Sequence, residues 1–139
     1  MANLFGRDDV ALGVALPFGS GLSNFKLNYT TLDQARTNIV NLLLTHKGER
    51  FMQPDFGTQI IDSLFEPSTE DLEVSVEEGL NEDIALWLPY ILIDEINVTR
   101  LIDQHILDIA LRFKVTENGA NQVIKLLVDE DGVQITSSY

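Results

Sequence analysis

The apolar residues of this chain change period once, at Pro89, and that switch limits the fold more than any other feature. Upstream of it, Leu72, Val76, Leu80, Ile84, Trp87 and Leu88 recur at three- and four-residue steps, the spacing that lines one face of a helix. Downstream, Leu107, Ile109, Leu111, Phe113 and Val115 alternate with Asp108, Ala110, Arg112 and Lys114, the period of a strand with one buried face. Helices followed by strands is the order of an α+β domain.

Within the helical half, Leu32, Ala35, Ile39, Leu42, Leu43 and His46 share one face, which predicts a helix capped by Thr30 or Thr31 and stopped by Gly48. The loop from Glu49 to Gly57 carries Pro54 and Gly57, and a shorter helix is expected from about Thr58 to Phe65. Pro67 resets the chain, Ser68 or Thr69 caps a third helix, and Pro89 ends it. Gly79 in its middle weakens it or lets something pack close.

In the second half, Tyr90 to Thr99 and Gln122 to Val128 flank the alternating strand. Turn signals at Glu117-Asn118-Gly119 and Asp131-Gly132, with short connections, predict an antiparallel meander of three to four strands packed on the helices, Val133 to Ile135 adding a short edge strand. Asp94 and Glu95 interrupt the alternation, which points to a bulge or an exposed edge. Residues 1–30 show no sustained period and carry several glycines with single anchors at Phe5, Phe18, Phe25 and Tyr29. They are read as an extended N-terminal arm on a single domain of residues 31–139.

Charge excludes whole classes of partner. A net charge of -13 repels nucleic acid phosphates and anionic lipid, so neither nucleic acid nor membrane is an expected partner. The apolar run from Val10 to Phe18 follows Asp8 and Asp9 where a targeting signal would have a basic flank. There is no cysteine, hence no disulfide and no thiolate metal site. Residues 51–99 hold twelve acids and no Lys or Arg, a negative surface that serves solubility or docks a basic partner.

No catalytic constellation stands out. His46 continues the buried helical stripe and His105 opens a strand; neither has triad or metal spacing. Glu49 and Asp55, flanking the Pro and Gly loop, are the best available carboxylate pair, but capping or surface roles explain them as well. The expectation from the residues is therefore a chain with no reaction centre, no cofactor and no metal.

The stretch Asn38-Ile39-Val40-Asn41-Leu42-Leu43-Leu44-Thr45-His46-Lys47-Gly48-Glu49-Arg50, then Pro54-Asp55-Phe56-Gly57 and Leu64-Phe65-Glu66-Pro67, resembles the baseplate wedge family of contractile phage tails, which is related to a baseplate subunit of type VI secretion systems. On this resemblance Thr45, Gly48, Arg50, Pro54, Phe56, Gly57, Phe65 and Glu66 are structural motif residues, with Arg50 expected to fix its loop by pairing with an acid or a carbonyl. The resemblance implies a virion protein, present in sixfold copies in the tail baseplate and assembled in the host cytoplasm. Its implied partners are other wedge proteins, the tail sheath protein, and tube or hub proteins.

The family's Glu-Pro-Arg at the helix-to-sheet junction is replaced here by Leu88-Pro89-Tyr90, which leaves an apolar or hydrogen-bonded wedge contact at that point. Sheath nucleation by strand addition is expected along Gln122, Ile124, Leu126 and Val128, where Lys125 is the one central charge, with cover of that strand by the N-terminal arm as the competing reading. Two alternatives remain: a peptidoglycan hydrolase of the tail, and the equivalent subunit of a bacterial type VI-like machine.

Overall fold

A computed structural model describes residues 10–16, 26–63, 65–67, 70–101, 103, 105–116, 121–129 and 132–138. The expected caps Ser68 and Thr69, the turn at Glu117-Asn118-Gly119, and the arm anchors Phe5, Phe18 and Phe25 lie outside them. The elements run β1 (Gly13–Val14), β2 (Leu27–Asn28), α1 (Thr31–Leu44), α2 (Ile60–Ser63), α3 (Glu70–Trp87), β3 (Ile91–Leu101), β4 (Ile106–Val115), β5 (Asn121–Asp129) and β6 (Gly132–Ser138). The chain divides into two compact units, residues 1–41 and 42–139, with the boundary inside α1.

In the first unit β1 and β2 pair antiparallel, so the described part of the arm is a short ribbon. Thr30 caps α1: its Oγ1 accepts from the Asp33 amide at 3.2 Å and donates to Asp33 Oδ2 at 2.8 Å. Asn28 is buried there, and its amide nitrogen donates to Thr37 Oγ1 at 2.8 Å.

The second unit is the α+β body. Strands β3 to β6 form one antiparallel sheet in the order β3-β4-β5-β6, the meander that the short connections predict. Leu107, Ile109, Leu111, Phe113 and Val115 of β4 and Ile124, Leu126 and Val128 of β5 are buried, along with Leu72, Val76, Leu80, Ile84 and Leu88. The α3 side chain of Glu73 reaches β3, accepting from the Arg100 amide at 3.1 Å.

Three expectations change. The middle helix shrinks to the single turn α2, leaving two long helices where three were expected. Helix α1 stops at Leu44, before Gly48, because His46 leaves the helical path to form a parallel bridge with Thr58. His46 is consequently not part of the buried stripe. Its side chain is partly exposed and its Nε2 lies 3.0 Å from Asp62 Oδ1.

Between Ile93 and Glu95 the β3–β4 register shifts, which is the bulge that the two acids announced. Both find partners on β4: Lys114 lies 3.2 Å from Asp94 and Arg112 lies 3.4 Å from Glu95.

Candidate functional site

The loop after α1 gathers most of the motif residues. Thr58 donates from its amide to the Thr45 carbonyl at 2.9 Å and from its hydroxyl to the Leu43 carbonyl at 3.3 Å, which closes the loop's base. The Gly48 amide donates to the Pro54 carbonyl at 2.7 Å, so residues 49–53 project from a closed ring. Gly48 has φ 90 and Gly57 has φ 123, backbone that L side chains rarely adopt. A Cβ on Gly57 would also collide with the Thr45 carbonyl oxygen.

Arg50 meets an aromatic ring here, where an acid or a carbonyl was expected. Its guanidinium carbon lies 3.9 Å from the centroid of Phe56, whose ring stands edge-on to Trp87 at 5.2 Å and 70°. The order is cation, ring, ring, and it ties the loop to the end of α3. Glu49 is taken up in the same turn: its Oε2 accepts from the His46 amide at 3.0 Å. Asp55 is exposed.

Phe65 and Glu66 follow α2 and are exposed; the Glu66 carbonyl accepts from both terminal nitrogens of Arg100, at 3.4 and 3.3 Å. At the helix-to-sheet junction Leu88 is buried, whereas Pro89 and Tyr90 are exposed. The Tyr90 carbonyl accepts from the Thr116 hydroxyl at 2.9 Å and its amide at 3.1 Å. Of the junction trio, Pro89 and Tyr90 are thus the two that reach the surface.

Strand β5 does not offer a free edge. It is hydrogen-bonded to β4 on one side and β6 on the other, and Ile124, Leu126 and Val128 point into the core. Ile124, Leu126 and Val128 therefore hold the sheet together, with Gln122 paired to Phe113 of β4; the outer strands are β3 and β6. The sequence misplaced the edge because β6 extends over seven residues where a short addition was expected.

The two outer edges differ. That of β3 is blunted by the bulge, by Asp94 and Glu95, and by the Glu73 carboxylate on the Arg100 amide. Strand β6, Gly132–Ser138, contains no charged residue.

Two further features had no sequence signal. Lys47 Nζ lies 2.8 Å from Asp83 Oδ1, a pair joining the loop to α3. A partly open cavity of about 110 Å³ beside it is lined by Gln59, Ser63, Glu66, Val76, Gly79 and Asp83, among others.

A family model described as baseplate wedge protein gp25 matches residues 30–120. Baseplate wedge protein gp25 of Enterobacteria phage T4 is 29% identical over 87 residues, which are 63% of this chain and 66% of that protein, just short of two thirds of its length. Among solved structures, a Geobacter sulfurreducens protein named as a candidate tail lysozyme superposes with a TM-score of 0.62 at 22% identity, covering 79% of this chain and 93% of that one. At that identity the likeness is one of fold.

Proposed function

The chain belongs to the baseplate wedge protein gp25 family, and on that premise we propose that it is a non-enzymatic subunit of a contractile-tail baseplate that joins wedge proteins and starts the sheath by strand addition. In the assembled particle it stands in sixfold copies near the tube or hub.

The observation that carries the strand-addition step is the uncharged outer strand β6. Its outward backbone amides and carbonyls find no strand among the described residues, and unpaired edges without charge or proline accept strands from other chains. The blunted β3 edge directs that addition to β6. This replaces β5 as the accepting strand. Pro89 and Tyr90 remain the wedge-facing candidates at the junction.

The double substitution Gln134→Lys, Thr136→Glu would guard the edge while leaving the β5 pairing in place, because residue 136 stands opposite Lys125 and a carboxylate there meets an ammonium. In the particle that carries this chain, the doubly substituted protein should yield baseplates on tubes without sheath. Sheaths of normal length on such baseplates would remove strand addition at β6 from the account.

The hydrolase reading is favoured by no feature of the site, since the Glu49 carboxylate is engaged by the His46 amide. Clearing of peptidoglycan by the purified chain, abolished by Glu49→Gln or Asp55→Asn, would reinstate it.

A further inference from the structure

Phe51 and Met52 are 98% and 87% exposed, although they sit in a loop closed by its own backbone hydrogen bonds. Their neighbours on both sides are fixed: Arg50 lies over Phe56, and the Phe56 amide donates to the Gln53 carbonyl at 3.1 Å. The Gly48–Pro54 bond closes the ring behind them. The loop thus turns Arg50 and Phe56 inward and holds a Phe-Met pair in water, the reverse of what burial of apolar surface favours within one chain.

We propose that Phe51 and Met52 form an apolar plug that enters an apolar pocket with a basic rim on a different baseplate protein, and that the closed loop behind them exists to present it. Aromatic and Met side chains are enriched at the centres of protein interfaces, where a few buried anchors dominate affinity. A loop already ordered by its own hydrogen bonds loses little entropy on docking.

Charge selects the partner. The plug is flanked by the exposed Glu49 and Asp55, the adjoining Arg50 is drawn onto Phe56, and the chain from 51 to 99 carries twelve acids with no Lys or Arg. A second copy, also at -13, would be repelled, whereas a basic rim would be steered in. The proposal rests on the baseplate reading.

The test compares the free chain with purified baseplates of the particle that encodes it. Under hydroxyl-radical exposure, conversion of Met52 to its sulfoxide should be about tenfold or more slower in the baseplate. Benzoylphenylalanine placed at 51 should crosslink to a different wedge protein. The double substitution Phe51→Asp, Met52→Asp should leave the free chain's melting temperature unchanged, because neither side chain packs on its own domain. It should reduce incorporation by about ten- to a hundredfold, the effect of removing one or two buried apolar anchors.

Met52 oxidising in the baseplate at its free-chain rate, crosslinks confined to other copies of this chain, or full incorporation of the doubly substituted protein would each overturn the plug. Absence of the chain from purified baseplates would instead overturn the baseplate reading beneath it.

Discussion

The guanidinium carbon of Arg50 lies 3.9 Å from the centre of the Phe56 ring, and Phe56 in turn stands edge-on to Trp87. The contact makes Phe56 the hinge between a projecting loop and the end of α3. Arg50→Ala should cost about 0.5–1 kcal/mol, the range for a cation on a partly exposed ring. Phe56→Ala, which also removes the ring from Trp87, should cost about 3–5 kcal/mol. If the three side chains act as a unit, the double substitution costs no more than Phe56→Ala alone. Urea unfolding of the four proteins measures the coupling; simple additivity would separate Arg50 from the stack.

Lys47 and Asp83 are asymmetric partners, their side chains 35% and 11% exposed. Lys47→Met leaves a mostly buried carboxylate without its ammonium and should destabilise by about 1–3 kcal/mol. With Asp83→Asn, Lys47 can turn toward water, so that change should cost about 1 kcal/mol or less. Denaturant midpoints with the opposite ranking would show that the lysine, not the carboxylate, depends on the pair.

What the sequence could convey followed from how local each interaction is. The stripe from Leu72 to Leu88 and the alternation from Leu107 to Val115 are periodic along α3 with its last turn and along β4, and these positions are buried, apart from the partly exposed Trp87. The bulge at Asp94 was legible because an extra residue breaks a strict period of two. The end of α1 was not, because the bridge from His46 to Thr58 joins residues twelve apart and leaves no pattern in between. The contact of Arg50 with Phe56 has the same cause: an acid, a carbonyl and a ring are all possible partners for a loop arginine until the loop is closed. The sheet's edge was misassigned because strand pairing depends on how far β6 runs, which the weakly alternating Val133 to Ser138 does not declare.

Strand β5 and strand β6 should respond to substitution in opposite ways. Leu126 is fully buried between two paired strands, so Leu126→Ala should destabilise the isolated chain by about 2–5 kcal/mol. Gln134 is exposed on the outer strand, and Gln134→Lys should change stability by no more than about 0.5 kcal/mol. Thermal unfolding of both proteins checks this. A large loss for Gln134→Lys would mean that the β6 face is covered within the chain and is not open for assembly.

Three glycines occupy different physical situations, and alanine at each should give a different result. Gly57 combines φ 123 with a Cβ position blocked by the Thr45 carbonyl, so neither rotation nor a small shift relieves Gly57→Ala; the loss should be roughly 3 kcal/mol or more. Gly48 has φ 90 but open space around its Cβ position, so Gly48→Ala bears only the left-handed backbone cost, about 1 kcal/mol. Gly79 lies within α3 with ordinary backbone, and beyond the adjoining backbone of its own helix nothing comes within 4 Å of where a methyl group would stand, so Gly79→Ala should stabilise the chain by about 0.5–1 kcal/mol through reduced freedom of the unfolded state. The order of the three melting temperatures, 79 above wild type and 57 lowest, follows from geometry alone. A loss at Gly79 would show that the helix is packed closely at that point, and a mild effect at Gly57 would show that the loop's closure on Thr45 can yield.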